Sequence, residues 1–217
     1  KVLEYAGFKV NYNPEQTCCG LPAFNAGFWD DAKEVGEKLI NEYQRERYMV
    51  APSGSCVGMV RNSYTHLFTN SMLHNQCKKL QKNLFEFSEF LVDIVKKDQL
   101  QLSFPARVTY TDACSALNGC GIKEAPRKLL NNIKGLKLVE MQEAGNCCGF
   151  GGMFSVKMEE LSIQLAERKV QDALDTGADY IVSTDLGCLM HLDAYIKKNN
   201  KNIQVLHIAD LMAKAIQ

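Results

Sequence analysis

The chain is one pattern written twice, and that duplication restricts its fold more than any other feature. In the first copy, residues 1–10 run into Cys18-Cys19-Gly20; in the second, residues 128–138 run into Cys147-Cys148-Gly149. A glycine precedes the cysteine pair by eleven residues in one copy (Gly7) and by twelve in the other (Gly135). Both stretches read as a short helix, a glycine cap and a strand. A longer helix follows each, over residues 29–46 with Ala32, Val35, Leu39 and Tyr43 at helical spacing, and over 158–174 through Leu161, Leu165 and Ala166. Then come strands at 48–51 and 180–182 and a further cysteine, Cys56 or Cys188. Both copies close on similar helical text, at 87–91 and 208–212.

Strands alternating with helices predict an α/β fold. The expected architecture is two homologous repeats, residues 1–103 and 104–217, each a small, mostly parallel sheet flanked by helices. In such sheets, sites form beyond the carboxyl ends of the strands. The cysteine-bearing loops fall there. The second repeat holds one element that the first lacks: a strand at 107–110 followed by Cys114, fourteen residues before Lys128, the counterpart of Lys1. Equivalence of the repeats predicts a native protein that starts earlier, with an N-terminal strand and its cysteine ahead of Lys1.

Composition narrows the function. The 25 basic and 25 acidic residues balance with no basic patch, which speaks against nucleic acid as a partner. No apolar run approaches the roughly 18 residues of a membrane span. Nine cysteines is an odd count, in a chain with long amphipathic helices and 46% hydrophobic residues. That pattern fits a cytoplasmic metal or redox protein better than a secreted disulfide scaffold.

Thiolates are the ligands of iron–sulfur clusters and of structural zinc. The second repeat offers Cys114, Cys147, Cys148 and Cys188; the first offers Cys18, Cys19 and Cys56. Adjacent cysteines grip one tetrahedral ion poorly, but their diverging side chains reach two irons of a cluster. Gly20 and Gly149 allow close backbone approach, and residues 149–152 can aim amides at sulfur. The bland alternatives are a flexible glycine turn, and cysteines that are buried small residues or a vicinal disulfide. Leu73, Cys77, Leu80, Leu84, Phe87, Leu91 and Ile94 form an apolar helical stripe, making Cys77 core. Cys120 is a loop thiol or a spare ligand, and His191 a structural histidine or a ligand.

These residues resemble the cysteine-rich CCG domain family, whose members include components of heterodisulfide reductase and of glycolate oxidase. The likeness spans essentially the whole chain. It is carried by Thr17-Cys18-Cys19-Gly20-Leu21-Pro22, Pro52-Ser53-Gly54-Ser55-Cys56, Glu124-Ala125-Pro126-Arg127-Lys128-Leu129-Leu130 and Asn146-Cys147-Cys148-Gly149-Phe150-Gly151-Gly152. The resemblance implies an iron–sulfur subunit of an oxidoreductase that oxidises L-lactate, a small 2-hydroxy acid, to pyruvate. Electrons would pass to partner iron–sulfur and accessory subunits of a lactate-oxidising complex. The implied cofactor is a [4Fe–4S] cluster, with [2Fe–2S] or zinc as alternatives in relatives. Two other functions stay open: heterodisulfide reductase-like thiol–disulfide chemistry, and a zinc-stabilised or metal-free docking subunit. The chain departs from the family pattern at Ser53 and Asp185, where a Cys-x-x-Cys would begin, and at Ser115 and Asn118. Asp185 is left as a candidate oxygen ligand.

Overall fold

The computed structural model describes residues 1–69 and 71–216. Its strands are β1 (Met49–Ala51), β2 (Leu84–Glu86), β3 (Ser103–Tyr110), β4 (Lys134–Leu138), β5 (Tyr180–Ser183) and β6 (Gln204–His207). They form a two-stranded sheet, β1-β2, and a four-stranded sheet in the order β4-β3-β5-β6, with every pair parallel. Parallel strands need helical crossovers, and helices then bury the sheet faces. Val108, Ile181 and Val182 are accordingly sealed from solvent. The α/β, parallel, helix-flanked architecture read from the repeat pattern is the observed one.

The strand expected after Gly7 does not form. Residues 8–10 make no ladder, whereas their counterpart β4 pairs along β3. The described residues 1–102 hold no counterpart of β3 for them to pair with, and an unpaired strand is not stable in water. The segment is held instead by the Phe8 amide on the Leu3 carbonyl (3.0 Å) and by Phe8 edge-on to Phe90, 5.5 Å between centroids.

The apolar stripe from Leu73 to Ile94 is also not one helix. The helix His74–Asn83 stops, β2 intervenes, and a new turn begins at Phe87–Glu89, running into a π-helical turn, Phe90–Ile94. Helical spacing was a coincidence across a strand of three residues. Parallel pairing with β1 satisfies that backbone, and Glu86 then caps the next turn in a reciprocal box with Glu89. β2 and β6 are thus counterparts, each ending in a side chain, Glu86 or His207, that caps the following helix.

Three apolar clusters hold the chain together. One lies within the first repeat around Leu39, Ile40, Val57, Tyr64, Phe68 and Cys77, and one within the second around Ala166, Val170, Ile181, Leu189 and Leu192. The largest joins both: Val2, Phe87 and Leu91 pack with Val108, Tyr110, Leu129, Val182 and Leu211. Burial of such a side chain contributes roughly 1.5–3 kcal/mol, so the two repeats are joined by a core that they share. Cys77, 2% exposed, is core as its spacing suggested.

Candidate metal centre

Each Cys-Cys-Gly turn sits at the start of a helix approach that only glycine permits. Gly20 and Gly149 have φ of +83° and +91°. A Cβ on Gly149 would lie 2.5 Å from the Ser162 carbonyl oxygen, and one on Gly20 2.9 Å from that of Ala32. The following helices, Trp29–Tyr43 and Glu159–Asp175, therefore press directly on the two turns. Further bonds pin them. The buried Tyr64 hydroxyl donates to the Cys19 carbonyl (3.0 Å), and the Ser162 hydroxyl to that of Gly149 (2.8 Å). With its only hydrogen so used, Ser162 Oγ accepts from His191 Nε2 at 3.1 Å. His191 thus serves the turn as a support, its ring 6.2 Å from that of Phe150.

The cysteine that follows each Cys-Cys pair, Cys56 or Cys188, sits in the first turn of a helix rather than in open loop. Ser53 caps the helix Gly54–Gly58, its hydroxyl accepting the Cys56 amide at 3.3 Å. Asp185 caps the helix Leu186–Lys198, Oδ1 accepting the Gly187 amide at 3.1 Å. Cys56 and Cys188 each fall three residues past their cap. The residues that replace a family cysteine are thus helix caps, as the chemistry of Ser and Asp favours. Asp185 Oδ2 is also taken: it accepts the Ser55 amide at 3.0 Å and the Ser53 hydroxyl at 3.4 Å. Asp185, suggested above as an oxygen ligand, is committed at both oxygens, and it ties the cysteine-bearing helices of the two repeats together.

The thiols gather by repeat. Cys19 hydrogen-bonds Cys56, and Cys148 hydrogen-bonds Cys188. One thiol of each pair must donate and the other accept. The acceptors, Cys56 and Cys148, are each lowered to about 7 by that bond against the opposing effect of burial, and the donors, Cys19 and Cys188, are raised by it. Cys114 heads the helix Cys114–Cys120 and is raised by burial and then by the charges of Cys147 and Cys148. Cys18, Cys114 and Cys147 are exposed, while Cys19, Cys148 and Cys188 are buried. Each site therefore has sheltered sulfur behind an open rim. Amides add to the second: Phe150 N–H bonds the Cys148 sulfur, and Gly149 N–H the Cys147 sulfur at 3.4 Å. Among the described residues, no three His, Cys, Asp or Glu side chains converge on a single-ion site.

Cys120 lies apart, packed with both apolar clusters and hydrogen-bonded by Arg61. Sequence reasoning passed over two residues. Lys169 is buried under the second turn and donates to the Glu143 and Ala144 carbonyls (2.5 and 3.2 Å). It stands seven residues past Ser162, as Leu39 stands seven past Ala32, so among the described residues the apolar position of the first repeat is a buried cation in the second, and Lys169 feels the charge of Cys148. A polar residue in an apolar repeat position was the available signal. His207 joins the repeats: its Nδ1 accepts the Ala209 amide, so the neutral ring carries its hydrogen on Nε2 and donates to the Pro52 carbonyl at 3.1 Å.

Two duplicated thiol sites at the carboxyl edges of parallel sheets define a cysteine-rich two-repeat protein. The chain belongs to the CCG cysteine-rich domain family, whose model matches residues 1–61 and again 108–193. Over 213 residues it is 38% identical to lactate utilization protein A of Geobacillus sp. (strain WCH70), covering 98% of this chain and 89% of that protein. It is 38% identical to the Oceanobacillus iheyensis protein of that name (98% and 87% covered). It is 37% identical over 220 residues to that of Exiguobacterium sp., with 100% and 89% covered. No helix among the described residues is long and apolar enough to cross a membrane.

Proposed function

We propose that this chain is a cytoplasmic iron–sulfur subunit of a lactate-oxidising complex, holding a cluster on Cys114, Cys147, Cys148 and Cys188. A second thiol site stands on Cys18, Cys19 and Cys56. The substrate would be L-lactate, oxidised to pyruvate, with electrons passing to partner iron–sulfur and accessory subunits. The reading is supported by the placement of Cys114 at the head of its helix, Cys147 and Cys148 in their glycine turn and Cys188 in the first turn of its helix, with the charges of Cys147 and Cys148 felt at Cys114 and the Cys148 thiol bonded to that of Cys188. The relatives' name supplies the pathway.

The donor set fits the group. It is all cysteine sulfur, which on losing its proton is the ligand that soft iron–sulfur centres select. A bound cluster, most simply [4Fe–4S], supplies one-electron storage and transfer. The chain supplies the rest. Gly149 and Phe150 amides neutralise sulfur charge, the Lys169 cation offsets it from below, and the exposed rim at Cys114 and Cys147 opens toward a partner.

Anaerobic purification with quantified iron, sulfide and zinc, followed by electron paramagnetic resonance, tests this. Iron and sulfide in comparable amounts are expected, lost in Cys148→Ser and retained in Cys77→Ser. Zinc alone, or full iron in Cys148→Ser, defeats the reading. One observation favours a second reading, thiol–disulfide chemistry: in each thiol pair one member, Cys56 or Cys148, is lowered by the hydrogen bond from its partner. Reduction of a small disulfide by the metal-free protein, abolished in Cys188→Ser, would support it.

A further inference from the structure

Between the repeats lies a group of buried polar side chains that nothing above uses. Glu86 ends β2 and is fully buried. Its Oε2 accepts the amides of Ser88 (2.8 Å) and Glu89 (3.3 Å) and the Ser88 hydroxyl. Its Oε1, equally buried, has no partner among the described residues. Thr184, also buried, lies beside the phenol of Tyr110, close enough for the two hydroxyls to share a hydrogen bond. Glu86 in turn acts electrostatically on Tyr110. Natural proteins rarely leave such atoms unpaired without cause. An ionised carboxylate with a bare oxygen in this setting is costly, whereas a carboxylic acid carries a hydrogen of its own to offer.

We propose that Glu86, with the Tyr110–Thr184 pair beside it, forms an internal proton-holding site at the junction of the two repeats. Its ligand is a proton, carried on the buried carboxyl group itself. Placement gives the site a purpose. Tyr110 lies four residues before Cys114 on β3, and Thr184 four before Cys188 beyond β5, so two of its members stand directly upstream of candidate ligands. A consequence rests on the function proposed above. Were the cluster proposed above bound and reduced by one electron from an external reductant, Glu86 would take one proton from solvent, its carboxylate becoming carboxylic acid, and net charge in the interior would be unchanged.

Glu86 is raised from its ordinary 4.5 to about 7 by burial, against the lowering effect of its Ser88 and Glu89 hydrogen bonds. The surrounding titratable and charged groups do not reverse this. Glu89 repels it but is itself paired with Arg61 at 2.8 Å. Tyr110 and Cys120 are a neutral phenol and a neutral thiol, both pushed up. Arg127 lies 5.0 Å over the Tyr110 ring and is spent on Asp112 and Glu140. The sign follows. The folded chain keeps this proton from pH 4.5 to about 7, where the unfolded chain has lost it, so stability is greatest below that window, falls across it and is level above.

Urea unfolding of the metal-free full chain from about pH 4.5 to 8 tests the site without any cluster. Relative to Glu86→Gln, the wild-type folding constant should fall on the order of a hundredfold across the window. Ser88→Ala should move the midpoint upward, since a hydroxyl that bonds the carboxylate is gone. Should Glu86→Gln fail to fold, infrared spectra of wild-type protein with isotope-labelled glutamate decide: a buried carboxylic acid band at about pH 6 should vanish by about pH 8. Parallel stability curves, or no such band, overturn the proposal. In protein reconstituted with iron and sulfide, the midpoint potential should fall with rising pH in wild type and less so in Glu86→Gln. Equal slopes overturn the redox link. Failure to take up iron defeats the proposed function instead, while the metal-free measurement still decides whether Glu86 holds the proton.

Discussion

Gly149→Ala isolates what the second Cys-Cys-Gly turn demands of its glycine. Two costs add. An alanine at φ +91° sits in the left-handed region, at roughly 1–2 kcal/mol. Its Cβ would also stand 2.5 Å from the Ser162 carbonyl oxygen and 2.9 Å from Leu165 Cβ. Both belong to the helix Glu159–Asp175, so relief requires that helix to move, which overpacking data put at about 1–3 kcal/mol. The sum is about 2–5 kcal/mol. Gly27 supplies the control: its φ is +87°, yet nothing lies within 4 Å of an added Cβ. Gly27→Ala should therefore cost only the backbone part. Gly20→Ala, with its closest contact at 2.9 Å, should fall between them. Urea unfolding of the metal-free proteins measures all three, and each kcal/mol should appear as roughly 2–4 °C in thermal midpoint for a chain of this size. Equal losses in Gly149→Ala and Gly27→Ala would refute the close-approach reasoning and leave only backbone conformation.

Asp185→Ala removes a helix cap and strands the Ser55 amide and Ser53 hydroxyl, and should cost on the order of 2–4 kcal/mol. Combined with Ser53→Ala, it should show a coupling of about 0.5–3 kcal/mol; simple additivity in a double-mutant cycle would deny the tie between repeats. Thiol alkylation of the reduced, metal-free chain should label the exposed Cys18, Cys114 and Cys147 first. Cys77 should label last, being buried and raised to about 11 by that burial; its early modification, read by peptide mass, would contradict the packing.

The duplicated text made the architecture legible, because strand and helix periods and glycine caps are local signals. The two local misreadings have non-local causes. Residues 8–10 look like β4 but have no β3 beside them, and residues 84–86 look helical but meet β1. A strand exists only with a partner, and no window of sequence contains the partner. The same limit hid the cap roles of Ser53 and Asp185: each reads as a missing ligand until the helix it begins is in view.

By itself, then, the sequence determined that there are two Cys-Cys-Gly units, that their strands run parallel, and that Cys77 belongs to the core. Tertiary structure alone decided which thiols bond to each other, that Asp185 fastens one repeat to the other, and that Glu86 is buried with one oxygen bare. The reason is physical. Periodicity records which face of an element is apolar, whereas pairing, charge and proton affinity depend on what packing brings across from distant segments.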